Sequence, residues 1–405
     1  MREAMAISSA RYSILIRSIS DDYTDSDIMD VTGHRNAGRT DLSDNNPDHI
    51  KRIIEITGHG DKVRIDIENP HLWTPEDPYL YRMRIQVGQD VVESYFALRV
   101  VTIEKIDQVS RICLNHKPIF LNGVLDQGYY CGGIYVPDSE QDYAEDITKM
   151  QAIGFNTLRK HIKIEPECFY YDCDRLGMLV MQDMVNNGHY SFFGDTVLPT
   201  FGRKVKKDTK AKKVGKKKEK KRRQIFESHM KETIKILYNH PCIIGYTIFN
   251  EGWGQFESDA MYEIAKAQDS TRFMDSTSGW YAQEKSDVDS LHIYFKRKDI
   301  IESDRPVLLT ECGGYAYRVD EHIYSRYTHY GYGNCLDQEQ LTSEILALYD
   351  EMVVPAIHKG LCGCIYTQLS DVEDETNGLL TYDRNVCKVD QDRLKKYFED
   401  KLKIS

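Results

Sequence analysis

A chain of 405 residues, 41% of them hydrophobic, has the length for one barrel of roughly 250 residues plus a second domain of about 100. It contains no uncharged apolar run of about 18 residues, and Arg11 and Arg17 interrupt the apolar stretch of the opening MREAMAISSARYSILIRS, so neither a helical membrane span nor a signal peptide is expected. The net charge of -11 conceals a local +12 over Arg203–Arg223, where 14 Lys/Arg meet only Asp208 and Glu219; the remaining -23 disfavours nucleic acid and membranes as partners.

Residues 1–105 read as β-structure. Short alternating runs such as Lys51–Ile56 and Lys62–Ile67 are separated by Gly, Asp and Asn clusters, and His71–Val87 joins a Pro-punctuated loop to an alternating strand, which fits a small sandwich. From residue 106 the texture changes to short apolar runs alternating with amphipathic stretches, the signature of parallel β/α architecture. Eight strands are predicted: Ile119–Leu125, Asn156–Arg159, Leu179–Asp183, Ile243–Asn250, Arg272–Ser276, Val288–Tyr294, Val307–Glu311 and Gly363–Leu369. Eight closes a barrel. Helices are predicted over Ser139–Ile153, Glu165–Leu176, Gln224–Tyr238 and Gln338–His358. The basic block falls in the third strand-to-helix connection and reads as a solvated loop. It lies on the catalytic face, so steering of an acidic substrate is its functional alternative.

The ten cysteines lack the spacing of a disulfide framework or of zinc knuckles; reduced, mostly buried thiols and a cytoplasmic location are expected. The acids Asp371, Glu373, Asp374 and Glu375 follow strand eight without regular ligand spacing and read as a solvated loop, or as the lining of outer subsites, rather than a cation site. No metal and no cofactor is expected.

Catalytic side chains of a (β/α)8 barrel project from the C-terminal strand ends. Glu251 follows IIGYTIF and Asn250 and enters Gly-Trp-Gly; Glu311 closes PVLLTE and enters Cys312, Gly313 and Gly314. Strands four and seven can face each other across the barrel mouth. Two carboxyl groups about 5 Å apart, one protonated and one ionised, are what glycoside hydrolysis with retention requires.

NHPCIIGYTIFNEGWGQF (Asn239–Phe256) and LLTECGG (Leu308–Gly314) resemble the acid/base and nucleophile segments of glycoside hydrolase family 2, which includes β-galactosidases and β-glucuronidases. HLWTPEDPYLY, FALRVVTIEK, GFNTLRKHIKIEPECFYYDCDRLGMLVMQDM and YTQLSDVEDETNGLLTYDR extend the resemblance over nearly the whole chain. It implies an α/β fold: a (β/α)8 TIM barrel over 106–405 preceded by a small immunoglobulin-like β-sandwich over 1–105. It further implies a retaining β-glycosidase, most like a β-galactosidase, acting on a small-molecule or oligosaccharide substrate, with Glu251 as acid/base and Glu311 as nucleophile.

Carried over singly, Asn250 would bond the sugar 2-hydroxyl, and Tyr294 would orient the nucleophile. His292 would meet a sugar hydroxyl or stay structural. Trp253 and Trp280 would stack on the sugar or pack, while Asp126, Gln127, Arg159, His161, Asp183 and Gln368 would complete the binding set.

Four departures bear on substrate. His161 stands one residue earlier than in the family's Arg-x-Ser-His; Tyr366 replaces a tryptophan of strand eight, reshaping the pocket floor; no Asn-x-Lys signature of a glucuronidase occurs around Asn385–Lys388; and the chain has no room for the family's preceding jelly roll. Homo-oligomerisation is a further expectation. A non-catalytic carbohydrate-binding protein, or a truncated, weakly active member, is the alternative to an enzyme. Nucleic-acid binding through the basic block fits poorly, because no aromatics interleave its lysines.

Overall fold

The computed structural model describes residues 4–5, 13–17, 62–67, 69–87, 89–186, 188, 216–294 and 298–404. Two compact units divide between Arg99 and Val100. In the first, Ala4–Met5, Ser13–Arg17 and Lys62–Asp66 form an antiparallel sheet, and Tyr81–Val87 pairs with Asp90–Phe96 in a hairpin. Trp73 is fully buried and its backbone N–H donates to Leu98 O at 2.8 Å. The run Lys51–Ile56 lies outside the described residues.

Val101–Ile106, expected partly with the sandwich, pairs instead with Val109–Leu114 in the second unit. This hairpin closes the N-terminal end of the barrel: Ser110 Oγ donates to Asp304 O at 2.7 Å, and Arg111 Nη1 to Leu361 O, at the foot of the last strand, at 3.3 Å.

The barrel strands are β1 (Leu121–Asp126), β2 (Thr157–Lys160), β3 (Leu179–Asp183), β4 (Ile243–Asn250), β5 (Phe273–Ser278), β6 (Asp289–Ile293), β7 (Val307–Cys312) and β8 (Leu361–Tyr366). They hydrogen-bond in parallel in the order β5-β4-β3-β2-β1-β8-β7-β6. Most are buried along their full length, and β4, β7 and β8 read accordingly as near-continuous apolar runs, while β2 and β5 bury polar side chains as well. The β5/β6 seam has no strand ladder and is closed by other bonds. Asp287 N–H donates to Met274 O at 2.9 Å, Met274 N–H to Asp287 Oδ2 at 2.8 Å, and Ser278 Oγ meets His292 Nε2 at 2.9 Å.

Helices α1 (Gln141–Ile153), α2 (Glu167–Leu176), α3 (Lys216–Leu237), α4 (Ser258–Gln268), α5 (Gln338–Leu348) and α6 (Gln391–Lys401) surround the sheet. Two predictions need correction. The basic block is not a loop throughout: residues 216–223 are the first turns of α3, where Glu219 pairs with Arg222 at 2.6 Å and Arg223 at 3.0 Å, while the rest of the block lies outside the described residues. Nor is Gln338–His358 one regular helix. Pro355 lacks the N–H that an α-turn needs, and a wide turn over Tyr349–Val353, with Val354 N–H bonded to Tyr349 O, leads into a last turn over Val354–Ile357.

Candidate active site

The strand ends converge on one side chain, Arg159. It is fully buried at the end of β2, and its guanidinium forks onto Asp183 of β3 with two bonds of 3.0 Å. Nη2 also donates to Asn250 Oδ1 at 2.8 Å, and Nη1 to Thr310 O at 3.0 Å and to Glu311 Oε1 at 2.9 Å. Burial alone disfavours the charge, but Asp183 and Glu311 outweigh it and raise the Arg159 pKa. Burial likewise opposes ionisation of Asp183, whose carboxyl Arg159 holds below the ordinary range; His161 Nδ1 lies 3.2 Å from its second oxygen. The early histidine thus still reaches the site.

Glu311 sits in β7 opposite His292 of β6, where the register of both strand pairs shifts. Such irregularities re-aim side chains near sites. The Tyr294 hydroxyl donates to Glu311 Oε2, and the Tyr294 ring stacks on Tyr332 with centroids 3.9 Å apart. Burial first, then the Glu311 charge, push the Tyr294 phenol well up, so it stays a donor.

Glu251 follows β4 in a left-handed conformation, φ 50°, that costs a non-glycine residue about 1–2 kcal/mol. Its N–H donates to Ser278 O at 2.9 Å, and Trp253 N–H returns to Asn250 O at 2.9 Å. Gly252 and Gly254 continue the turn, and from α3 Arg222 Nη1 donates to Gly254 O at 3.3 Å. Arg223, whose guanidinium lies 4.9 Å from the Phe256 ring centre, braces the same segment. Part of the basic block therefore supports the Glu251 turn.

Burial pushes the Glu251 carboxyl up to about 7 against the nearby charges of His161 and Arg159. Burial pushes His292 down to about 4, so its imidazole is neutral. Arg159 Nη1, which can only donate, lies 3.4 Å from His292 Nε2; the proton therefore sits on Nδ1, which donates to Glu251 Oε1 at 2.8 Å. Gly279 permits this packing, since a Cβ there would lie 2.6 Å from His292 Cγ. Ligand atoms of Glu251, His292 and Glu311 all fall within 4.8 Å of one another. Among the described residues this is the group with the spacing to hold a metal ion, but the Arg159 charge beside Glu311 opposes a cation there.

The other expected side chains divide. Trp280 packs edge-on against His292, centroids 5.5 Å apart, and its buried indole N–H has no hydrogen-bond partner among the described residues. Trp253 is half-buried next to Glu251. Gln127 and Gln368 meet at 2.7 Å. Asp126 is turned to Lys160 at 2.8 Å and Gly128 N–H at 2.8 Å. Two readings of the strand-eight region are corrected. Tyr366 does not face the mouth; it is fully buried over Gly313, where a Cβ would lie 2.3 Å from its ring, and its hydroxyl accepts from Tyr315 N–H at 3.3 Å. The acids after β8 are not all solvated: Asp371 accepts from Lys388 at 2.7 Å with both side chains buried, and Glu375 accepts from Gln127 and Gln368.

Sequence reasoning missed Ser278, Thr310 and Tyr332 and misplaced Glu375. Ser278 and Thr310 lie in the C-terminal halves of β5 and β7, a signal that was readable; Tyr332 arrives from a distant loop and gave none.

The model of glycosyl hydrolases family 2, TIM barrel domain, matches residues 105–312, and a second model of glycosyl hydrolases family 2 matches residues 18–99. The chain is 26% identical over 260 residues to a putative beta-glucuronidase of Formosa agariphila, covering 62% of this chain and 22% of that protein. It is 28% identical over 230 residues to a beta-galactosidase of Pseudoalteromonas haloplanktis, covering 55% and 20%. The matches thus span about a fifth of the length of these curated relatives. Among solved structures, a beta-glucuronidase from uncultured Clostridium sp. superposes with a TM-score of 0.62 at 17% identity, covering 85% of this chain and 60% of that one. A beta-D-glucuronidase of Dictyoglomus thermophilum gives 0.60 at 16% identity, covering 84% and 61%. The fold expected from sequence, an immunoglobulin-like domain followed by a TIM barrel, is borne out.

Proposed function

The chain belongs to glycosyl hydrolases family 2, and on that premise we propose that it cleaves a β-linked sugar, of the neutral β-galactoside type, with retention of anomeric configuration. One observation carries the reading: carboxylate oxygens of Glu251 and Glu311 lie within 4.8 Å, one group held as the acid and the other fixed by two donors. That spacing suits retention, because inversion needs room for a water between the carboxyl groups.

Glu311 attacks the anomeric carbon while Arg159 and Tyr294 fix its two oxygens. Glu251, its Oε1 occupied by His292, carries its proton on Oε2 and delivers it to the departing glycosidic oxygen. The resulting carboxylate then takes a proton from the water that releases the sugar from Glu311. Arg159 claims Asn250 Oδ1 and so leaves Asn250 Nδ2 for the sugar 2-hydroxyl. His292, Asp126 and Gln368, whose polar atoms are taken by protein groups, act as positioning residues; Gln127, His161 and the tryptophans line the sugar.

Ten free thiols support a cytoplasmic location, and no helix among the described residues is long and apolar enough to cross a membrane.

Hydrolysis of nitrophenyl β-galactoside, β-glucuronide, β-mannoside, β-glucoside and α-arabinoside, followed by NMR of the first-formed anomer, tests the proposal. Release of the sugar with its configuration retained, abolished in Glu311→Gln, is the expected result. An inverted product, or undiminished turnover by Glu311→Gln, overturns it.

A further inference from the structure

The reaction proposed above leaves one acid of the barrel mouth without a role. Glu375, in the turn after β8, accepts from Gln368 Nε2 at 2.7 Å and Gln127 Nε2 at 3.2 Å, both on Oε2. The two glutamines are themselves tied, Gln127 Nε2 to Gln368 Oε1 at 2.7 Å, and Gln368 Nε2 reaches Asn377 Oδ1 at 2.9 Å. One oxygen of Glu375 is therefore fixed, while Oε1 accepts from no described residue. The turn is anchored as well: Gly378 N–H and Lys388 Nζ both donate to Asp371 Oδ1, at 2.8 and 2.7 Å, and Tyr330 N–H donates to Asp374 O at 2.7 Å.

The cations described on this side of the mouth are committed elsewhere. Lys160 pairs with Asp126 and Glu165, Lys163 with Glu165, Arg159 with Asp183 and Glu311, Arg384 with Asp146, and Lys388 with Asp371. Burial raises the Glu375 carboxyl, against the Gln368 bond and the neighbouring His161. The like charge of Glu311 raises it further. A preorganised acceptor in such surroundings favours a hydroxyl donor and disfavours a second carboxylate.

Topology says which end of the sugar it meets. In the strand order, β8 stands four strands from β4, across the barrel. A ring with its 2-hydroxyl on Asn250 of β4 and its anomeric carbon between Glu251 and Glu311 directs its C4–C6 edge toward β8 and β1. That edge is where a uronide carries a carboxylate and a neutral hexoside a hydroxymethyl group.

We propose that Glu375, held by Gln127 and Gln368, is a specificity-determining residue that accepts a hydroxyl from the C4–C6 edge of a neutral sugar through Oε1 and excludes uronic acids from the site. The inference rests on the glycosidase reading.

The test compares matched pairs differing only at C6: nitrophenyl β-galactoside with β-galacturonide, and β-glucoside with β-glucuronide, on the full chain and on Glu375→Gln and Glu375→Ala. The neutral member of the better pair is expected to have a kcat/KM at least ~100-fold higher, and both variants to narrow that ratio at least ~10-fold by slowing the neutral substrate, with melting temperatures confirming the fold. A preference for the uronide, or equal losses on both members with the ratio unchanged, overturns the proposal. Calorimetric titration with galactose, glucose and their uronic acids separates the two failures. Tighter binding of a neutral sugar without turnover removes the hydrolase reading but keeps the role of Glu375; tighter binding of the matching uronic acid, or no binding of any of the four, removes that role.

Discussion

Arg159 Nη1 donates to Glu311 Oε1 at 2.9 Å, with the arginine side chain fully buried and that of Glu311 6% exposed. An ion pair so enclosed also carries the rest of the site, because the same guanidinium fixes Asp183, Asn250 and the Thr310 carbonyl. Arg159→Met leaves two buried carboxylates without their cation. The expected cost is about 3–5 kcal/mol of stability, read by urea unfolding, together with loss of nearly all turnover. Arg159→Lys rescues neither fully, since an ammonium cannot reproduce the two-pronged contact with Asp183.

The raised carboxyl of Glu251 makes two pH predictions. The basic limb of kcat/KM falls with an apparent pKa near 7 and disappears in Glu251→Gln on activated aryl glycosides, which need no proton at the leaving oxygen.

For stability, the folded state binds this proton more tightly than the unfolded chain, whose ordinary value is 4.5. The contribution is therefore complete below 4.5 and is lost as pH rises through about 7, by about 3 kcal/mol at the plateau. Urea unfolding of the native chain and of Glu251→Gln at pH 5 and pH 8 reads it directly: the difference between the two proteins should grow toward pH 8, and a constant difference would refute the assignment.

Azide separates the two carboxylates. In Glu311→Ala, azide should occupy the vacated position and yield the glycosyl azide of inverted configuration. In Glu251→Ala it should replace water in the second step and yield the retained one. Mass spectrometry and NMR of the products decide between these assignments and their exchange.

Tyr294→Phe deletes one of the two donors that hold Glu311 while keeping the ring stacked on Tyr332. Its kcat should fall by about 10²-fold, with melting temperature little changed. A large loss of stability with kcat preserved would make the hydroxyl structural.

Arg222→Ala removes the bond from α3 to the Gly254 carbonyl, at 3.3 Å and partly exposed. A shift of the basic limb of kcat/KM, with a stability change of about 1 kcal/mol or less, is expected if that helix positions the Glu251 turn. An unchanged pH profile would confine Arg222 to the helix surface.

The sequence alone determined the barrel, because apolar runs mark its buried strands, most plainly β4, β7 and β8, and the amphipathic stretches between them can form only the outer layer: all eight predicted strands appear, within a few residues at each end. Glu251 and Glu311 were legible for a related reason, as charged residues closing apolar strands ahead of glycines. Tertiary structure alone decided what those residues touch. Tyr332 reaches the site from some 20 residues beyond Glu311, Glu375 is turned inward by glutamines just after β1 and β8, and residues 216–223 form a helix where the charge density suggested a loop. Each outcome depends on desolvation and opposite-charge contacts between residues far apart in sequence, and local periodicity reports neither.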